Sequence, residues 1–216
     1  SSAALEISPD PLRIVAEGSG WLVVDKPPGV GVHPLHPDQR DTVLNAVVAR
    51  HPEIIGIGEG GLRSGVVHRL DVDTTGALVF AFDEEVWRRL RGAFSDHRVD
   101  KRYLALVAGR FAKSRPVELT LAVGRHQPAH VEVVASGRRC RQHVTPIRAF
   151  SGATLVEVKL ETGFLHQIRA SMAHLGHPVV GDREYGGASE DAITAPRPML
   201  HARRLVVDEI SADVAL

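Results

Sequence analysis

The chain has 216 residues, with 26 Lys and Arg against 26 Asp and Glu and a single cysteine, Cys140. That length can bury a substantial core in one domain, residues 1–216. No apolar run reaches 18 residues and no basic–apolar–small leader opens the chain, so a membrane helix and secretion are not expected; the lone cysteine fits a reducing cytoplasm.

Zero net charge hides a segregation. Between Val86 and Arg148, fourteen Lys and Arg stand against Asp96, Asp100, Glu118 and Glu132, a local charge of +10. Nearly all the cations are Arg; only Lys26, Lys101, Lys113 and Lys159 are lysines. The guanidinium fork binds phosphate bidentately and stacks on bases, which suits RNA, although an Arg-rich solvated face would read the same way. Cys140, among Arg138, Arg139 and Arg141, reads most simply as an incidental cysteine.

In chain order, residues 1–20 read as an extended arm or first edge strand. Trp21 to Asp25 read as a buried strand, broken by Lys26-Pro27-Pro28-Gly29 because two prolines cannot continue a ladder. Asp41 to Arg50 read as a helix capped by Asp41 or Thr42. Ile54 to Gly65 is glycine-rich and lacks a period, so it is read as a loop. Next comes Val66-Val67-His68-Arg69-Leu70-Asp71-Val72-Asp73-Thr74-Thr75-Gly76, then the apolar run Ala77 to Phe82. Two apolar runs around a polar, glycine-closed segment predict strand, loop, strand, with Asp71 on the loop and Arg69 leaving the same face two residues away.

A helix follows, capped by Asp83, with Glu84 and Glu85 in its first turn and Arg88, Arg89 and Arg91 beyond. Glu84/Arg88 and Glu85/Arg89 are i,i+4 pairs, and Trp87, Leu90 and Phe94 form its apolar stripe. Arg98 to Val107 read as a strand carrying Lys101 and Tyr103. Val117–Val123, His130–Ala135, Gln142–Phe150 and Ala153–Glu161 read as a meander turning at Ser136-Gly137 and Ser151-Gly152. From Thr162-Gly163-Phe164 a helix is predicted with Leu165, Ile168, Met172 and Leu175 on one face, His166 and Arg169 on another, and Gly176 closing it.

The string His68-Arg69-Leu70-Asp71-x-x-Thr74-Thr75-Gly76 resembles the signature of the RluA-type pseudouridine synthases, with Thr75 where Ser is usual. Further matches follow in the family's order: Asp25-Lys26-Pro27, Lys101-x-Tyr103, Thr162-Gly163 through His166-Gln167-Ile168-Arg169 to Gly181-Asp182 and Tyr185-Gly186, and Leu200-His201-Ala202. Phe164 stands where the family carries an Arg. Many members have an S4 RNA-binding domain or extend past the last motif; neither pattern occurs in these 216 residues.

The resemblance implies an α+β fold, a long, mixed, mostly antiparallel sheet with flanking helices and a central cleft. It implies an isomerase that converts uridine in ribosomal or transfer RNA to pseudouridine. Asp71 would be the catalytic carboxylate, kept ionised by Arg169, and Tyr103 would lie against the base. Arg69 would fill the space of a flipped-out nucleotide and Ile168 would pack near the base; His68, Lys101, His166 and Leu200 are further motif positions on the substrate side. No metal or cofactor is implied, and the partner is structured RNA rather than DNA or membrane, bound by a monomer.

Other classes fit less well. The 12 histidines lack any His-Glu-x-x-His or Cys-x-x-Cys spacing for a zinc hydrolase. A glycosidase needs two cooperating carboxylates. A non-catalytic RNA-binding protein on the same scaffold would not need Asp71, Tyr103 and Arg169 together.

Overall fold

A computed structural model describes residues 12–126, 129–186 and 195–216. Among these there are ten strands and three α-helices, an α+β protein. The chain divides into two compact units, residues 1–99 with 202–216, and residues 100–201.

In the first unit, β1 (Arg13–Gly18) pairs antiparallel with β2 (Trp21–Lys26), and β2 with β3 (Thr75–Ala81). β9 (Leu200–Val207) brings the chain back into this unit and forms a hairpin with β10 (Ile210–Asp213). The arm-or-strand expectation is met from Arg13 onward; residues 1–11 lie outside the described residues. β3 is buried along its whole length because both its faces are covered, which is why Ala77–Phe82 is a continuous apolar run rather than an alternating one. One face of the unit gathers Val23, Val67, Val79, Leu90, Leu205 and Ile210 into a core. Each such side chain contributes about 1.5–3 kcal/mol on burial.

α1 (Val43–Arg50) is capped by Thr42, not Asp41. The Thr42 side chain accepts from the Asn45 amide, and Asn45 accepts from the Thr42 amide, a reciprocal capping box. Two single 3₁₀ turns, Pro52–Ile54 and Gly61–Arg63, interrupt the predicted loop. α2 (Glu84–Ser95) has the predicted Asp83 cap, whose Oδ1 accepts from the Glu85 and Val86 amides at 2.9 and 3.0 Å. Glu84 pairs with Arg88 at 2.9 Å as expected. The Glu85/Arg89 pair does not form: Arg89 forks onto Glu209 at 2.5 and 2.7 Å, in the turn between β9 and β10. A bidentate partner outcompetes a flexible one on the same helix face.

The second unit is built on β4 (Asp100–Ala108), β5 (Arg115–His126), β6 (Ala129–Val133), β7 (Arg138–Phe150) and β8 (Ala153–Leu160). β4 pairs with β8, β8 with β7 and β7 with β5, all antiparallel. The meander expected over these strands does not form: β5–β6 and β7–β8 are hairpins, but Ser136-Gly137 does not make a third, and β7 pairs with β5 instead of β6. β6 and β7 run in the same direction and take successive parts of β5; Leu121 lies opposite Val133 in one and Arg138 in the other. Ser151-Gly152 is the tight turn expected, with Gly152 at φ 76°. α3 (Gln167–His174) is shorter than its apolar pattern, because His166 takes a left-handed conformation (φ 49°, ψ 21°) and stops the helix from starting at Leu165. No described helix is long and apolar enough to cross a membrane.

Candidate active site

The Asp71 segment belongs to the first unit. The strand expected at Val66-Val67 is absent: Val66 makes a single bridge to Phe80, and residues 67–74 are irregular. Helix α2 holds the segment instead. The Trp87 indole donates to the Val66 carbonyl at 3.1 Å, and Arg91 to the Val67 carbonyl at 2.9 Å. His68 Nε2 accepts from the Val79 amide at 3.1 Å, so Nδ1 carries the ring proton of the neutral form, and the ring stacks on Phe94 at 4.4 Å. His68 thus serves the scaffold, whereas Arg69 is exposed. Asp71 is half-buried, and its carbonyl accepts from the Thr74 amide at 3.1 Å to close the turn.

Lys26 anchors the far side of that turn. Its side chain is fully buried, and Nζ donates to the carbonyls of Pro27, Val30 and Val72 at 2.7, 2.7 and 2.6 Å. One ammonium therefore ties the Lys-Pro-Pro-Gly break to the residue next to Asp71. A buried charge is tolerated only when its donors are satisfied, and three converging carbonyls supply that. Gly76, at φ 109°, closes the segment; a Cβ there would strike the Ala202 carbonyl of the neighbouring β9. Both Lys26 and Gly76 thus set the position of Asp71 through the backbone.

The second unit holds a denser cluster around α3. Arg169 grips Asp182 with both sides of its guanidinium, Nε to Oδ2 at 2.6 Å and a terminal nitrogen to Oδ1 at 2.9 Å. The Asp182 side chain is fully buried and that of Arg169 is 11 % exposed. Asp182 Oδ1 also accepts from the amides of Glu184 and Tyr185, which fixes the turn after Gly181. The Arg169 guanidinium lies 5.0 Å from the Tyr185 ring centre, and the Tyr185 hydroxyl meets His166 Nδ1 at 2.9 Å. That hydroxyl also accepts from the Val131 amide, and His130 stacks on the same ring. The left-handed backbone of His166 is what turns its ring toward Tyr185 rather than along the helix.

Thr162 joins β7 to the start of α3: its Oγ1 accepts from the Arg141 amide at 2.8 Å and meets Gln167 Oε1 at 3.0 Å. Its carbonyl accepts from Lys101 Nζ at 3.1 Å. Lys101 is buried, and burial pushes its ammonium down to about 8. Tyr103, Ile168 and Leu200 are buried within this unit. Phe164, at the position of the family's Arg, packs against the apolar cluster of Leu121, Val131, Cys140 and Ala170. Cys140 is part of that core, and burial raises its thiol, as expected of an incidental cysteine.

Asp182 and Tyr185 were not read as functional from the sequence. Their signals were present, since Gly181-Asp182 and Tyr185-Gly186 lie inside a matched motif. Nothing in a linear pattern pairs Arg169 with an acid 13 residues on. Among the described residues no group of three or more His, Cys, Asp and Glu is placed to hold a metal ion.

The family model described as RNA pseudouridylate synthase matches residues 20–174. The chain belongs to that family. It is 39 % identical over 204 residues to a ribosomal large subunit pseudouridine synthase D of Nitrosomonas europaea, covering 90 % of this chain and 57 % of that protein. The protein of the same name from Pseudomonas aeruginosa is 37 % identical, covering 95 % of this chain and 66 % of its own length. The chain thus spans a little over half to about two-thirds of these relatives. Among solved structures, human RNA pseudouridylate synthase domain containing 1 matches with a TM-score of 0.76 at 26 % identity, over 95 % of this chain and 83 % of that one.

Proposed function

We propose that this chain isomerises uridines in RNA to pseudouridine, with large-subunit ribosomal RNA as its substrate class. The observation that carries the reading is the Asp71 turn, clamped between the buried Lys26 ammonium and helix α2. A reactive carboxylate on an irregular segment needs such fixing, because misplacement by an ångström costs orders of magnitude in rate. The names of the relatives from Nitrosomonas europaea and Pseudomonas aeruginosa support ribosomal RNA.

The reaction breaks the bond from ribose C1′ to uracil N1, turns the base, joins C1′ to C5 and moves the C5 proton away while N1 gains one. No electrons are exchanged with a partner. Asp71 supplies the carboxylate, acting on the sugar either at C1′ or as a base. Tyr103 takes the base-side role and Arg169 the charge-stabilising role that the matched motifs imply. The target nucleotide leaves its stack to react, and Arg69, exposed beside Asp71, fills the gap; unstacking costs a few kcal/mol, which backbone contacts offset. Residues 1–216 act as a single catalytic domain, as a monomer in the cytoplasm. Mapping pseudouridine in total RNA with and without the gene tests this: a missing ribosomal site supports it, loss confined to transfer RNA redirects the substrate, and no missing site overturns it.

A further inference from the structure

One end of the second unit's sheet carries cations without anions. The loop after β4 is tied to the β7–β8 turn: the Gly109 amide donates to the Gly152 carbonyl at 2.8 Å, and the Phe111 amide to Thr154 Oγ1 at 3.0 Å. That places Arg110 beside the last residues of β7, where Phe150 lies opposite Ala153 and Arg148 opposite Leu155; Lys113 follows in the same loop, and Arg115 opens β5 opposite Val144 of β7. All four cations are exposed, and among the described residues none has a carboxylate partner. The acids on the adjoining strands are engaged elsewhere, Glu118 by Arg139 and Glu157 by Arg102. Arg115 lies over the buried Phe111 ring at 5.4 Å, which orients it without neutralising it.

Apolar groups are exposed in the same place. Phe150 is 47 % and Ile147 51 % exposed, and the Arg148 guanidinium lies 5.1 Å from the Phe150 ring centre. Charge alone would be ordinary surface. Four unneutralised cations spread along this end of the sheet, one of them against an exposed ring, form the combination that holds a nucleic-acid strand, with phosphates on the cations and a base on the ring.

We propose that this end of the sheet, Arg110, Lys113, Arg115, Arg148 and Phe150, binds an RNA segment flanking the modified nucleotide. The proposal rests on the reading of the chain as an RNA pseudouridine synthase. It assigns a second RNA contact, built entirely within the second unit and composed of residues outside the matched motifs.

The test uses purified bacterial large-subunit ribosomal RNA and the whole chain. A variant with Arg110, Lys113, Arg115 and Arg148 all changed to Gln is compared with one in which the ion-paired Arg88, Arg98, Arg139 and Arg141 are changed to Gln. The two remove equal charge. Affinity is expected to fall about 10-fold or more in the first, with the slope of log affinity against log salt reduced by about 3, and to stay within about twofold in the second. Phe150→Ala should weaken binding several-fold and leave the slope unchanged, since a ring carries no counterions. For pseudouridine formation, KM should rise and kcat at saturating RNA should hold. Equal losses in both charge variants, or wild-type affinity in the first, would overturn the proposal. So would a first variant whose RNA binding is intact but whose binding to phosphatidylglycerol vesicles is lost. If the wild-type chain binds this RNA but forms no pseudouridine in it, the functional reading fails while the binding surface stands.

Discussion

Asp71→Asn keeps the shape of the side chain and the turn that the Thr74 amide closes. An amide is too weak a nucleophile or base for the proposed step, so turnover should vanish while RNA affinity stays within several-fold and the melting temperature is unchanged. Turnover by this variant would remove Asp71 from the chemistry. Arg169→Met tests the buried pair with Asp182. It strands the fully buried Asp182 carboxylate, which should cost about 3–5 kcal/mol in denaturant melts, and Asp182→Asn in the same chain should return part of that. Absence of coupling between these two positions would show that the pair contributes nothing. Lys101 gives a pH signature. Its folded pKa, about 8, lies below the ordinary 10.5, so between those values the unfolded chain holds a proton that the folded chain has released. Stability from this group therefore rises as pH climbs from about 8 to about 10.5, and its cost is constant below that window. Lys101→Met should stabilise the chain by about 1–3 kcal/mol at pH 7, with the gain shrinking toward pH 10.5.

At the scale of elements, the Asp71 segment depends on its neighbours more than on its own backbone pattern. Trp87→Phe removes the donor to the Val66 carbonyl and should cost about 1–2 kcal/mol, with a larger proportional loss of kcat than of RNA affinity, measured by melts and single-turnover assays. Gly76→Ala meets both a φ of 109° and the Ala202 carbonyl, so a loss of at least about 2 kcal/mol is expected. Helices α1 and α2 were legible because their caps, Thr42 and Asp83, use side chains within three residues of the amides they satisfy. The strand expected at Val66-Val67 was misread for the opposite reason. Two buried β-branched residues look alike whether their carbonyls meet a neighbouring strand or, as here, an indole and a guanidinium from a helix some 20 residues on.

Across the molecule, the +10 charge of residues 86–148 overstates what RNA would meet. Arg88, Arg89, Arg98, Arg102, Arg125, Arg139 and Arg141 all face carboxylates. Ten neutralised phosphates would give a salt slope of magnitude about 9; the slope of wild-type binding should be well below that. A fluorescence titration over a series of salt concentrations reads this directly.

The sequence by itself determined the family, most of the strands and helices between Trp21 and His174, the Asp83 cap, and Asp71 as the residue to examine, because all of these rest on spacing along the chain. Only the tertiary structure showed that Lys26 binds Val72, that Arg169 grips Asp182, that His68 braces β3 and that Phe164 joins an apolar core. It also separated the paired arginines from the unpaired ones. For the polar groups the physical reason is the same. A buried charge or hydrogen-bond donor must be satisfied by whatever the fold brings within 3 Å, and for most of these side chains that partner lies ten or more residues away.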